Sequence, residues 1–110
     1  MTVFEQVEAF MKERVAVHRR EIELEQVLRE RYGLTVPQAD VLVMLHREPL
    51  TMGEIAGRLG TTSGNITNII DRMEAKGLVR RSPKPDDRRC NLVELTEAGR
   101  EYIHGLKSDV

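Results

Sequence analysis

The sequence predicts a mainly α-helical fold with one small β-hairpin in its C-terminal half. Apolar residues recur every three to four positions through most of the 110-residue chain, which is the period of an amphipathic helix. Short stretches that contain Gly, Pro or a Thr suited to begin a helix separate these segments. Two runs rich in Val and Leu, at 78–82 and 91–95, are then typical of short strands.

Composition indicates one soluble domain. Hydrophobic residues make up 40% and charged residues 32% of the chain, and 110 residues suit a single domain. No apolar run approaches the ~20 residues that a membrane span needs, and the N-terminus lacks the apolar block of a secretion signal. We therefore expect a cytoplasmic protein. Cys90 is the only cysteine, which excludes an internal disulfide and a cysteine-based zinc site.

The first predicted helix is long. Residues 2–31 contain neither Gly nor Pro, and they predict one helix, or two with a joint near residues 18–20. At 1.5 Å per residue, a single helix would be roughly 45 Å long, which exceeds what the core of so small a domain requires. We expect its apolar stripe to pack against a second copy of the chain. The residues assigned to dimerisation are Val3, Val7, Phe10, Met11 and Val15.

Turn signals place the second helix directly after the first. Gly33 suits the end of the first helix. Thr35 suits the start of a second helix that runs to about His46, and Pro49 prevents its continuation.

Two shorter helices are predicted next. Thr51 and Glu54 form a capping-box pattern, in which side chains and backbone N–H groups bond reciprocally at the start of a helix. A fourth helix is expected to begin at Thr61 or Thr62 and to end at Gly77.

The third and fourth helices have the spacing of a helix-turn-helix. Ala56 is a small residue for the helix crossing, Gly60 tolerates positive φ in the turn, and Ile66 anchors the fourth helix. The opposite face of the fourth helix is polar and includes Asp71. Asn and Thr side chains can donate and accept at base edges and phosphates. DNA contact is therefore expected from Thr62, Ser63, Asn65, Thr67, Asn68 and Arg72.

Basic residues concentrate at the predicted hairpin, although the whole chain has a net charge of −1. Residues 76–89 contain six Lys or Arg and two Asp, a net charge of +4, whereas residues 1–34 have a net charge of −1. A basic patch on a near-neutral body suits contact with a polyanion. An ordinary solvated charge cluster has the same composition, and charge alone does not separate the two.

The hairpin is expected to have residues 83–90 as its loop. Asp87 and Arg89 are placed to form a bidentate carboxylate–guanidinium pair, which would direct the arginine. A directed arginine suits a narrow, electronegative minor groove, and the same pair also suits a role in stabilising the hairpin. Lys84 and Arg88 are assigned to phosphate contacts.

From about Leu34 to Gly99 the chain resembles the winged helix-turn-helix domain of the MarR family of bacterial transcription regulators. The segment LTMGEIAGRLGTTSGNITNIIDRMEAKGLVRRSPKPDDRRCNLVELTEAG carries the resemblance, and the D-x-R at Asp87–Arg89 followed by LVELTEAG is its specific part. The match covers about two thirds of the chain. It implies that the fourth helix enters the major groove, that the hairpin or wing enters the minor groove, and that an obligate homodimer binds a pseudo-palindrome.

The resemblance also implies a domain organisation and a function. The expected regions are an N-terminal helical dimerisation region (1–34), a winged helix-turn-helix DNA-binding domain (35–96) and a C-terminal helix (97–110). Many members of the family are repressors that small aromatic ligands or oxidation release from DNA. We accordingly expect a sequence-specific repressor of transcription that needs no cofactor. The resemblance allows a small aromatic effector ligand but does not require one.

One departure from the family leaves an alternative open. Members usually close with a further long helix that joins the first helix in the dimer interface, whereas this sequence reaches Val110 soon after its last predicted helix begins. Either the N-terminal helix contributes more of the dimer, or the sequence is a shortened form. The alternative function is a protein-interaction module or antagonist that heterodimerises with another regulator through its N-terminal helix.

No catalytic function is predicted. The sequence has no phosphate-binding loop and no Ser/His/Asp or HExxH arrangement. His18, His46 and His104 lack the spacing of metal ligands. Cys90 follows two arginines, a setting that favours a reactive thiol, but a small residue at the start of a strand is the simpler interpretation.

Overall fold

The structure, a computed structural model, describes residues 1–109. The chain divides into two units, Met1–Val36 and Pro37–Val110. Within the described residues there are five helices and one three-stranded antiparallel sheet, which confirms the predicted mainly α fold with a small hairpin wing. None of the helices in this range is both long and apolar enough to cross a membrane.

The first unit is dominated by one helix, α1 (Val3–Tyr32). Thr2 caps its start, because the Thr2 hydroxyl oxygen accepts a hydrogen bond from the Glu5 backbone N–H at 3.1 Å. Gly33 ends it in a left-handed conformation with φ of 64°. The helix continues through residues 18–20, so the alternative of two helices with a joint there is wrong. The stretch contains no Gly or Pro, and the usual cause of a break is therefore missing.

Four shorter helices follow, and most of their starts agree with the turn chemistry of the sequence. Thr51 and Glu54 form the predicted capping box, with both of its hydrogen bonds present. Thr62, rather than Thr61, caps the fourth helix by accepting from the Asn65 backbone N–H at 3.2 Å. The helices are α2 (Val36–Arg47), α3 (Met52–Leu59), α4 (Ser63–Ala75) and α5 (Glu97–Ser108).

The sheet has three strands where the sequence predicted two. They are β1 (Leu50–Thr51), β2 (Val79–Lys84) and β3 (Asp87–Leu95), in the spatial order β1-β3-β2. Leu50 of β1 lies opposite Val93 of β3. A strand of two residues is too short to show an alternating pattern, which is why sequence analysis missed β1.

The wing, defined here as β2, β3 and the turn between them, has a much shorter loop than predicted. Because β2 continues to Lys84 and β3 begins at Asp87, only residues 85–86 form the turn. Pro83 lies within β2 and is tolerated because β2 is an edge strand, where a missing N–H leaves no ladder bond unmade. The register shifts between Pro83 and Lys84, so that Lys84 lies opposite Asp87. The predicted loop residues are therefore mostly strand residues.

The core of the second unit takes apolar side chains from every one of its helices and strands. One face of α4 is completely buried at Ile66, Ile70 and Met73, each 0% exposed. This burial directs the opposite face of α4 outward, as the sequence predicted. Other members of the core are Val41, Leu42, Leu50, Ile55, Leu78, Val79, Val93 and Ile103.

The start of α5 is bound to the segment that joins α4 to β2. The Thr96 hydroxyl donates to the Gly77 carbonyl oxygen at 2.5 Å, and the Thr96 backbone N–H donates to the Leu78 carbonyl oxygen at 3.0 Å. A Cβ atom at Gly99 would collide with that Leu78 carbonyl, so only glycine fits there. The expectation that the last helix continues to Val110 concerns a residue outside the described range.

Candidate nucleic-acid interface

The helix-turn-helix is formed by α3, a turn and α4. Ala56 is 7% exposed where the helices pack, Gly60 has φ of 64°, and Ile66 is completely buried. Each residue has the property that its spacing in the sequence predicted. The geometry fixes α4 on the domain through its apolar face and leaves its polar face open to solvent.

The polar face of α4 presents all of the side chains that the sequence assigned to DNA contact on this helix. Backbone N–H groups in the first turn of a helix have no partner within the helix, and the helix dipole adds partial positive charge there. Ser63 and Gly64 lie in this first turn and are exposed. This end of α4 is suited to a phosphate. The exposed residues of the face are Thr62, Ser63, Asn65, Thr67, Asn68 and Arg72.

Hydrogen bonds within α4 make these polar side chains unequal. The Asn65 amide nitrogen donates to the Thr61 hydroxyl oxygen at 2.9 Å. The Thr67 hydroxyl donates its only proton to the Ser63 carbonyl oxygen, also at 2.9 Å, so its oxygen can only accept a further bond. Among the described residues Asn68 has no such partner, and both ends of its amide remain open to solvent.

The wing presents an arginine whose position is fixed by an acid. Asp87 Oδ1 accepts from the Arg89 backbone N–H at 3.1 Å and from Arg89 Nε at 3.3 Å. The predicted bidentate pair is therefore wrong in detail, because both bonds go to one carboxylate oxygen and one of them comes from the backbone. The Arg89 side chain is still 92% exposed. The backbone bond from Arg89 lowers the pKa of Asp87, which keeps the carboxylate charged.

The other two wing residues assigned to DNA lie near the turn. Lys84 is half-buried, and its Nζ is 3.9 Å from Asp86 Oδ1, a loose surface ion pair. Arg88 is exposed. These positions suit contacts with phosphates, which require a positive charge but little directional precision.

Arg80 and Arg81, which contribute to the basic patch in the sequence, form ion pairs with acidic side chains. Arg80 Nε is 2.7 Å from Glu94 Oε1 on the neighbouring strand. Arg81 Nη2 is 2.5 Å from Asp71 Oδ1 and 2.8 Å from Glu74 Oε1, both on α4. Asp71 was placed on the outward face with the DNA-contacting residues, and it instead forms part of a contact between α4 and β2. No sequence pattern distinguishes Arg80 and Arg81 from Arg88 and Arg89. The pair of Arg80 depends on the register of the two wing strands, and the pairs of Arg81 depend on how the wing packs against α4.

Cys90 lies within the same strand as Asp87 and is half-buried. Its Sγ is 3.6 Å from Asp87 Oδ2. No group of three or more His, Cys, Asp or Glu side chains in residues 1–109 is arranged to hold a metal ion.

The residues assigned to dimerisation lie on α1, and their side chains are exposed. Their exposed fractions range from 49% for Met11 to 74% for Val3. Phe4, Val17, Ile22 and Leu24 on the same helix are also more than half exposed. An apolar surface of this extent is uncommon on a chain that stays alone in water. The residues that the sequence assigned are Val3, Val7, Phe10, Met11 and Val15.

Comparison with known sequences gives one consistent result. A family model described as the MarR family matches residues 32–89, which is more than half of the chain. The HTH-type transcriptional regulator YfiV of Bacillus subtilis (strain 168) is 36% identical over 74 residues, which cover 66% of this chain and 46% of YfiV. The chain spans about half the length of the curated relatives it matches.

Solved structures show the same fold. The transcriptional regulator BldR of Sulfolobus solfataricus aligns with a TM-score of 0.84 and 30% identity, over 96% of this chain and 76% of BldR. MepR of Staphylococcus aureus, in a structure of the MepR–DNA complex, aligns with a TM-score of 0.72 and 26% identity, over 86% of this chain and 78% of MepR.

Proposed function

This chain belongs to the MarR family, and on that premise we propose that it is a homodimeric repressor of transcription that binds a pseudo-palindromic operator in double-stranded DNA. The observation that carries the proposal is the polar face of α4, with its unpaired Asn68, next to a wing that presents Arg89. A DNA complex of the similar protein MepR supports the same use of this fold.

In the proposed complex, α4 lies in the major groove and its N-terminal half contacts base edges. Asn and Thr side chains there offer both donors and acceptors, which the major groove requires for discrimination of all four base pairs. Arg72, one turn beyond Asn68, is within reach of the phosphate backbone or a guanine. Thr62 and Ser63 hold a phosphate at the start of the helix.

The wing makes the second contact in the proposed complex. Arg89 enters the minor groove, where a narrow groove concentrates negative potential. Asp87 accepts a bond from Arg89 Nε and so favours one direction of this exposed side chain. Lys84 and Arg88 contribute phosphate contacts on either side of the groove.

The homodimer is proposed to form through α1. Five of its exposed apolar residues recur at helical spacing, which is the pattern of a helix that packs on another helix. Two copies related by a two-fold axis would present two α4 helices to half-sites about one helical turn apart. In this assignment residues 1–34 are the dimerisation region, residues 35–96 bind DNA, and residues 97–110 are the C-terminal region that contains α5.

Selection from a random duplex pool at near-physiological salt tests the proposal. Enrichment of an inverted repeat with half-sites about 10 base pairs apart is the expected outcome. Enrichment of single half-sites would refute the homodimer but keep the DNA-reading domain. If no sequence is enriched and the protein shows no salt-sensitive binding to DNA, DNA recognition is refuted altogether.

The exposed apolar surface of α1 also favours a second candidate function. A chain that heterodimerises with another regulator through α1 would act as an antagonist, and its own DNA affinity would be dispensable. Two measurements separate the candidates. The antagonist sediments together with a partner regulator, and by itself it shows no salt-sensitive binding to DNA.

A further inference from the structure

Arg81 connects the wing to the helix proposed to bind the major groove. Its Nη2 atom contacts Asp71 Oδ1 at 2.5 Å and Glu74 Oε1 at 2.8 Å, and both acids belong to α4. The Arg81 backbone N–H also donates to Glu74 Oε2 at 3.1 Å. Glu74 therefore holds both the backbone and the side chain of one residue of β2.

The neighbouring arginine has a different role. Arg80 Nε contacts Glu94 Oε1 at 2.7 Å, and Glu94 belongs to β3, so that ion pair lies entirely within the wing. The Arg80 side chain is 65% exposed, whereas the Arg81 side chain is 25% exposed. Arg80 therefore makes its ion pair inside the wing, whereas Arg81 makes its ion pairs between the wing and α4.

The covalent connection between α4 and β2 is short but does not fix the wing by itself. Residues 76–78 join the two elements, and Gly77 has a positive φ of 75°. The base of the wing is fixed by buried Leu78 and Val79. Arg81 lies two residues further along β2, towards the turn, where its ion pairs oppose rotation of the wing about that base.

We propose that Arg81 is a positioning residue that holds the wing at a fixed angle to α4, so that DNA contacts by α4 and by Arg89 are made together. The statement about joint DNA contacts rests on the proposed function, whereas the fixed angle of the wing does not. Two elements held at the correct separation bind as one unit, whereas a wing that rotates must lose that freedom each time it binds. Loss of Arg81 should therefore remove most of the benefit of Arg89 without removing Arg89 itself.

The first experiment measures the geometry without DNA. Spin labels are attached at Asn68→Cys on α4 and Arg88→Cys near the turn of the wing, in a protein that carries Cys90→Ser. The distance distribution between the labels is expected to be narrow with Arg81 present and clearly broader with Arg81→Met. Arg80→Met is the matched control, because it is the same substitution of a charged by an uncharged side chain at the adjacent residue. It should leave the distribution narrow. A distribution with Arg81→Met as narrow as that of the parent overturns the positioning role.

The second experiment is a double-mutant cycle on DNA affinity. Arg89→Ala is expected to weaken binding by about threefold or more in the wild-type background and in the Arg80→Met background. In the Arg81→Met background the same substitution should weaken binding by less than about 1.5-fold. An equal loss in all three backgrounds overturns the coupling. Thermal unfolding confirms that each variant is folded at the assay temperature.

The two experiments separate this inference from the proposed function. If no variant binds DNA, the proposed function and the coupling both fail, while the distance measurement still decides whether Arg81 positions the wing. Arg81→Lys adds a further test, because a lysine has one compact charged group and cannot reproduce the planar arrangement of the guanidinium donors. It is expected to narrow the distance distribution only in part relative to Arg81→Met.

Discussion

Asn65, Thr67 and Asn68 lie on one exposed face of α4, but their hydrogen bonds assign them different roles in the proposed complex. Asn65 uses part of its donor capacity on Thr61, and Thr67 uses its only hydroxyl proton on the Ser63 carbonyl oxygen. Asn68 keeps a donor and an acceptor side by side. This pair matches adenine, whose N6 donates and whose N7 accepts in the major groove.

Asn68→Ala is expected to weaken the preference for adenine at one position of each half-site. A bidentate amide contact discriminates between bases by about 1–3 kcal/mol, so the preference should fall by about fivefold or more. Asn65→Ala is the matched control and should have a smaller effect on base preference, because its amide is partly committed within the helix. Selection of half-site libraries with both variants measures this. An unchanged base preference with Asn68→Ala would contradict the assignment.

Gly99 is a residue whose side chain is excluded by packing. Gly99→Ala is expected to lower the free energy of unfolding by about 1–3 kcal/mol, because the added Cβ would collide with the Leu78 backbone, which cannot move aside as a side chain can. Gly53→Ala on α3 is the control. Its Cβ would meet no atom within 4 Å, so it should be neutral or slightly stabilising. Denaturant unfolding compares the two variants, and equal stabilities would show that α5 can shift to accommodate the methyl group.

At the scale of elements, side-chain to backbone bonds decide how the pieces of the second unit are joined. Thr51 ends β1 and caps α3 at the same time, so a two-residue strand and a helix share one residue as their boundary. Its hydroxyl bonds the Glu54 N–H, and the Glu54 carboxylate bonds the Thr51 N–H, which lowers the pKa of Glu54. The contact between Arg81 and Glu74 performs the corresponding task between α4 and the wing.

Glu74 makes this second junction sensitive to pH. The Arg81 guanidinium lowers the pKa of Glu74, so the folded state binds a proton less readily than the unfolded state, where a glutamate has a pKa of about 4.3. The stabilisation is therefore fully present above about pH 4.3, and it is lost as the pH falls through the lower pKa of the folded protein.

Glu74→Gln should consequently destabilise the protein at neutral pH. In acid, the difference in stability between the variant and the wild type should disappear. Since Glu74 is only partly buried, the difference at pH 7 is expected to be about 1 kcal/mol or less. Urea unfolding from about pH 7 to about pH 2.5 measures the difference between variant and wild type. Glu101→Gln, at an exposed position on α5, is the control and should follow the wild type at every pH. A difference that persists unchanged into acid would mean that the charge of Glu74 is not what stabilises the junction.

At the scale of the whole molecule, the two units differ in how their apolar residues are used. The second unit buries them in a core, whereas α1 exposes most of its apolar side chains. Burial of apolar area contributes roughly 25 cal/mol per Å², so a helix that exposes this many such side chains gains by association. The proposed homodimer would supply that burial.

Val7→Glu is expected to shift the protein from dimer to monomer at micromolar concentration, because it places a charge in the middle of the proposed interface. Gln6→Glu adds the same charge at the adjacent position, outside the apolar stripe, and should leave the dimer intact. Analytical ultracentrifugation measures both variants. If Val7→Glu sediments like the wild type, the homodimer does not depend on this part of α1.

Sequence alone determined the order of the later helices, the capping box at Thr51 and the buried face of α4. These features are local: capping by Thr51 and Thr62 needs residues only three positions away, and the inward positions of Ile66 and Ile70 follow from the helical period. The strand β1 and the short turn of the wing were missed because a pairing partner far along the chain defines them. Leu50 becomes a strand residue only because Val93 lies opposite it.

The charged residues also show what sequence determines and what tertiary structure decides. Sequence alone established that the wing is basic, but it could not say which arginines are available to a partner. Arg80, Arg81, Arg88 and Arg89 are equivalent as residue types, and only the tertiary structure binds Arg80 to Glu94 and Arg81 to Asp71 and Glu74. Arg89 pairs with Asp87, which is only two residues away, and its side chain is 92% exposed. The physical reason for the difference is that an ion pair depends on distance in space, and distance between separate elements is decided by packing rather than by sequence separation.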